Sequence, residues 1–146
     1  MVKINELACK NAVGKIQSTL INNPTCMLIS SLNMTNPSVC PMTVKTIEGN
    51  NAIWFLSHKQ SEHYNNIKNN NNVLLTFVNN TDKEYLSISG QGFHFDTEEV
   101  IDVLWDEQDV KWYENGKKDE HIVALKVVIN DAYYWDTFEQ KSILVE

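Results

Sequence analysis

The chain has 146 residues, 42% hydrophobic, 10% aromatic and 21% charged, with a net charge of −7 at pH 7. That is the length of one domain with an ordinary globular composition, which excludes a disordered tail, a collagen-like fibre and a disulfide scaffold. The acidic balance disfavours a nucleic-acid or anionic-membrane surface, since polyanion binding is driven by Lys and Arg contacts that release counterions.

Ile4, Leu7, Ala8, Ile16 and Leu20 share one apolar face at helical spacing and predict a helix over residues 3–21. Asn22-Asn23-Pro24 ends it. Strand-like runs follow at Cys26 to Leu32, Met42 to Ile47 and Ala52 to Leu56, the last two joined as a hairpin through Glu48-Gly49-Asn50-Asn51. Ser61 caps a short helix to Asn69, and Val73 to Val78 is a β-branched and aromatic strand. After Asn79-Asn80-Thr81-Asp82 comes Tyr85 to Ser89, where Gly90 and Gly92 mark a bend or bulge. Asp96-Thr97-Glu98-Glu99 reads as a capping box for a helix carrying Val100, Ile101, Val103 and Leu104. Ile122 to Ile129 is the last clear strand. This order predicts a mainly β domain, an antiparallel barrel or sandwich with short helices, spanning 1–146 with an N-terminal helix (1–22) and a barrel core (25–136).

No run approaches the roughly 20 apolar residues of a membrane span. Met1-Val2-Lys3-Ile4-Asn5-Glu6 is not the start of a signal peptide, and three widely spaced cysteines (Cys9, Cys26, Cys40) suit reduced thiols, so a cytoplasmic protein is expected. All 12 basic residues are lysines. Any anionic ligand must be held without a guanidinium fork, by backbone N–H groups, hydroxyls, Lys or His. The 18 asparagines and the sequons at Asn33 and Asn79 fit compositional drift and chance.

Walker, nucleophile-elbow, H-E-x-x-H and C-x-x-C motifs are absent from the sequence. His58 and His63 are spaced wrongly for one helical face, so no metal is expected. Asp102, Asp106, Glu107 and Asp109 read as a solvated helix face rather than a metal patch. Trp54, Trp105, Trp112, Trp135, Tyr113, Tyr133 and Tyr134 fit core positions or a surface for a planar cofactor, and sequence pattern does not choose between them.

The ordered set of short segments carries more information than any single motif. Pro41-Met42 opens a strand, Trp54-Phe55 sits in the next, Ser61 opens a helix ending near Ile67, and Val73 to Phe77 follows. Then come Tyr85-Leu86-Ser87-Ile88-Ser89-Gly90, Leu104-Trp105, Lys111-Trp112-Tyr113-Glu114-Asn115-Gly116 and Ala132-Tyr133-Tyr134-Trp135-Asp136. From Leu28 to Asp136 this resembles the general stress protein branch of the pyridoxamine 5'-phosphate oxidase-like family of flavin-binding split barrels. The resemblance implies a six-stranded antiparallel split barrel, a homodimer, and FMN in two grooves at the subunit interface. It implies that Met42, Thr43, Val44, Phe55, Leu56 and Ser57 line the flavin, mostly through backbone groups, and that the helix start at Ser61 faces the phosphate, where free N–H groups favour an anion. Trp112 and Trp135 match aromatic positions that reach the cofactor, with the partner subunit a possible source.

Two positions depart from the family. Cys40 stands where an Arg usually precedes Pro-Met, and His63 stands where a Lys usually follows the serine by two residues. Both usual residues bind phosphate. Their loss removes roughly 3–6 kcal/mol, a hundredfold to ten-thousandfold in affinity, unless Lys45, Lys59 or a protonated His63 compensates. The function implied is a flavin-dependent oxidoreductase or flavin reductase acting on a small substrate. The alternatives are a non-catalytic flavin, deazaflavin or haem carrier, with His58, His63, His94 or His121 as haem ligand, and a cofactor-less dimer.

Overall fold

In the computed structural model, residues 24–33, 36–49, 51–81, 83–136 and 139–143 are described. The helix expected over 3–21 lies outside them. Among the described residues seven strands follow one another as β1 (Thr25–Ser31), β2 (Pro37–Glu48), β3 (Ala52–His58), β4 (Asn72–Asn79), β5 (Glu84–Phe95), β6 (Ile122–Asp136) and β7 (Glu139–Ile143). Helix α1 (Glu62–Asn69) joins β3 to β4. Helix α2 (Glu98–Leu104) and two 3-10 helices, Glu107–Trp112 and Gly116–Lys118, join β5 to β6. All pairings are antiparallel in the order β3-β2-β1-β4-β5-β6-β7, and β3 also pairs with β6. That last pairing closes six strands into the expected barrel and leaves β7 as an appendage on β6. No described helix is long and apolar enough to cross a membrane.

Alternation sets the inside of the barrel. In β1, Cys26, Leu28 and Ser30 are buried while Thr25 and Met27 are exposed, and β4 and β5 alternate likewise. Leu28, Ile53, Phe55, Leu75, Ile88, Leu125 and Val127 fill the interior with almost no exposure. A second cluster, Ile101, Leu104, Tyr113, Ile122 and Ala124, sits under α2, with Trp54, Leu56 and Trp105 packed on it.

Several local features match the sequence reading. Gly49 has φ +58° in the β2–β3 turn, where glycine carries no Cβ penalty. Ser61 caps α1, its hydroxyl accepting from the Tyr64 N–H at 3.2 Å. The β5–β6 register shifts between Ser89 and Gly90, the expected bulge.

Others need correction. Thr97 is the N-cap of α2, but its side chain makes no cap bond, and Asp96 turns instead to Lys59. The capping box is instead at the next helix: Asp106 and Asp109 satisfy each other's backbone at the first 3-10 helix. Asp109 is consequently buried rather than part of a solvated face. Strand β6 runs on past Ile129 to Asp136, because a bulge lets the chain keep pairing beyond the polar Asn130-Asp131.

Candidate functional site

The barrel opens where β2 and β3 part. Their ladder runs from Glu48–Ala52 only to Val44–Phe55, with Lys45 as the extra residue of a bulge. Beyond it, Pro41 to Thr43 pair only with β1, and Leu56 to His58 pair only with β6. Pro41 has no N–H to donate, so this part of β2 suits a strand edge. Two strand edges therefore face one another across a gap, and α1 starts beside it.

His63 of α1 spans that gap. Its Nδ1 is 3.3 Å from Cys40 Sγ of β2, and its Nε2 is 2.6 Å from Ser57 Oγ of β3 and 3.2 Å from Ser61 Oγ. Ser61 has one hydroxyl hydrogen, and it goes to the His58 carbonyl at 2.7 Å. Ser61 can then only accept from the imidazole. Hydrogen counting thus assigns an Nε2–H tautomer, with Nδ1 accepting from the Cys40 thiol. Desolvation lowers the His63 pKa below the usual histidine value. Burial, with the Glu62 carboxylate, pushes the Cys40 thiol up. Neither is a poised proton donor or nucleophile at neutral pH. Deeper in the barrel, burial pushes Cys26 up to about 12.

The first 3-10 helix ties the two lips together. Asp109 pairs with Lys45 of β2 while also accepting from the Asp106 N–H at 2.9 Å. Tyr113, just after the helix, donates its hydroxyl to the Ser57 carbonyl of β3 at 2.9 Å. Sequence reasoning missed both roles. The Asp106-x-x-Asp109 spacing was the available signal, since a carboxylate three residues after an Asp cap is a capping-box pattern. No pattern marked the partner Lys45.

The expected site residues fall into groups. Thr43 is exposed and Val44 half-buried at the end of the ladder, whereas the Met42 and Phe55 side chains face the core. Leu56 packs toward α2, and Ser57 is buried against His63 and Tyr113. Lys45, Ser61 and His63 stand at the gap as described. Trp112 is 69% exposed on the bridging helix, with Lys111 over its ring. Trp135 pairs with Tyr85 and Gln140, ten residues along β6 from Leu125, the partner of Phe55. Among the described residues no His, Cys, Asp or Glu group is arranged to hold a metal ion.

His94 of β5 packs on Tyr64, ring centroids 4.5 Å apart, and its Nε2 is buried without a hydrogen-bond partner. Burial, with His63 and Lys68 nearby, pushes its pKa down to about 4. The unfolded chain therefore binds the extra proton between about pH 6.5 and 4. Stability from the neutral ring is complete above pH 6.5 and is lost as pH falls toward 4. His63 acts in the same direction. Urea midpoints are expected to drop between pH 7 and 5, and His94→Phe should flatten that drop. An unchanged slope in the variant would show that other groups carry it.

A closed six-stranded antiparallel barrel, parted between two of its strands and bridged by short helices, defines the split-barrel class. The chain belongs to the pyridoxamine 5'-phosphate oxidase-like family, whose model matches residues 11–145. Among solved structures it is similar to a Clostridium acetobutylicum protein related to general stress protein 26 of Bacillus subtilis, at 16% identity and TM-score 0.81, covering 90% of this chain and 93% of that one. It is also similar to the general stress FMN/FAD binding protein of Xanthomonas citri, at 26% identity and TM-score 0.75, covering 89% and 92%. A heme binding protein from Mycobacterium smegmatis shares the fold at 10% identity and TM-score 0.72, covering 91% of this chain and 57% of that one. No curated protein matches.

Proposed function

We propose that this chain is a flavin-binding protein that works as a homodimer and serves as a flavin-dependent oxidoreductase or flavin reductase on a small substrate. The observation that carries this reading is the gap itself, where the strand edges Pro41 to Thr43 and Leu56 to His58 do not pair with each other beside a helix start, the Ser57 and His58 carbonyls being taken by Tyr113 and Ser61. Such edges hold a planar heterocycle through backbone N–H and C=O groups, which explains why side chains such as Met42 and Phe55 can point away into the core. The naming of the 26% identical Xanthomonas protein for FMN and FAD supports the same choice. Haem receives less support. Both nitrogens of His63 are engaged, and His58 and His121 stack on each other with ring centroids 5.1 Å apart.

The dimer reading rests on the outer face of β2, β1 and β4. Met27, Val39, Leu74 and Val78 stand 40–54% exposed there, and Ile29 lies opposite both Val39 and Leu74. A contiguous apolar face of this kind suits an interface between copies. In such a dimer Trp135, remote along β6 from the gap of its own chain, is assigned to the groove of the partner subunit, while Trp112 stays with its own. Bound flavin would supply hydride or electron transfer. The protein's part is to position and shield it, since Cys40 and His63 are not tuned for proton transfer.

Fluorescence titration with FMN tests the reading, followed by anaerobic addition of NADH or NADPH. Saturable quenching at about 10 µM or below, then bleaching of the flavin absorption by either nicotinamide, is the expected result. Fluorescence unaffected at hundreds of micromolar would overturn it.

A further inference from the structure

We propose that the end of this site beside α1 accepts an uncharged group, so that the chain binds riboflavin about as tightly as FMN. This rests on the flavin reading above and specifies its ligand. A phosphate dianion is held best by cations, and the structure commits the cations at this end of the gap, and the Tyr64 N–H of the helix start, to other partners.

No arginine exists in the chain, so a second copy cannot contribute one either. Lys45, the cation on the β2 lip, is engaged by Asp109, which the Asp106 N–H holds in place. Lys59 follows β3 but pairs with Asp96 at 3.0 Å and lines a separate cavity of about 400 Å³ with Asp102, Lys117 and Asp119. The Cys40–His63–Ser57 and Ser61 network is complete with a neutral imidazole, so it offers no net charge. Ser61 already accepts from the Tyr64 N–H, a helix-start donor that an anion would use. Glu62, in the first turn of α1, places a carboxylate where the helix dipole would otherwise favour a bound anion. Desolvation of His63 acts in the same sense, holding the ring neutral.

An uncharged ribityl hydroxyl suits this surroundings better. It can donate to Ser57 Oγ or accept from it, and it brings no charge to be desolvated. The three compensating cations left open by the sequence, Lys45, Lys59 and a protonated His63, are thus all otherwise occupied.

Parallel fluorescence titrations of the full chain with riboflavin and with FMN test the proposal. Dissociation constants within about threefold are expected. FMN tighter by more than about tenfold, the worth of one charge-assisted hydrogen bond, would overturn the proposal and leave the flavin reading intact. Failure of both flavins to bind would overturn the flavin reading itself. His63→Lys adds the missing cation and is expected to raise the affinity for FMN relative to riboflavin about tenfold to a hundredfold, with an unchanged far-UV circular dichroism spectrum as the sign of an intact fold. If that variant folded but its affinity for FMN relative to riboflavin did not rise, the phosphate would not lie near position 63, and the proposal would fall. The wild-type comparison stands even if the variant does not fold.

Discussion

Gly90→Ala is expected to be the most damaging small substitution in the barrel. A Cβ at this position would sit 2.3 Å from the Val128 carbonyl oxygen and 3.0 Å from a Val127 methyl. The first contact is with backbone, which cannot rotate aside as a side chain can. Gly90 pairs with Val73 of β4 and Ile129 of β6 at the bulge, so relieving the clash means parting two ladders at once. A loss of about 3 kcal/mol or more follows, at the upper end of what overpacking costs. On a total stability of roughly 5–15 kcal/mol that is a large share. Gly116→Ala is the control. Its φ of +65° adds strain of about 1–2 kcal/mol, but nothing lies within 4 Å of the added methyl. Urea denaturation should rank the two in this order. Equal midpoints would show that β5 and β6 can separate at the bulge at little cost.

Phe55→Ala is the second. Phe55 has no solvent exposure, lies opposite Val44 on β2 and Leu125 on β6, and belongs to the main core cluster. Removing the ring costs about 3–5 kcal/mol, from lost burial plus the cavity left where neighbours on three strands cannot collapse. Because Val44–Phe55 is the last rung before the gap, loosening it should also weaken flavin binding in whatever protein remains folded. Val103→Ala, at a position 81% exposed on α2, should shift stability by no more than about 0.5 kcal/mol. A Phe55→Ala cost below about 1 kcal/mol would mean that the rung is not a structural hinge of the site.

Much of this architecture is legible in the residues because local signals and tertiary needs agree. Ser61 is a good cap and does cap α1; Gly90 invites a bulge and makes one. The misreadings occur where a long-range partner decides. Asp96 looks like part of a cap, yet Lys59 from the end of β3 takes it. Asp109 looks solvated among other acids, yet Lys45, 64 positions earlier, buries it. The clear strand pattern stops at Ile129 because Asn130-Asp131 interrupts it, and the rest of β6 is held as strand by its pairing with β5 and β7. At the site, the family resemblance implies that Cys40 and His63 stand where phosphate ligands are usual. Only the fold shows that they bond to each other and span the gap.

The most direct test of the central claim, that the parting of β2 from β3 is the flavin site, is an amide-resolved NMR titration with riboflavin. The largest shifts are expected at Met42, Thr43, Val44 and Lys45 on one lip and at Phe55, Leu56 and Ser57 on the other, with His63 following. Shifts concentrated instead around Thr46, Trp54, Val100 and Val103, which line the apolar groove between the β2–β3 hairpin and α2, would contradict it.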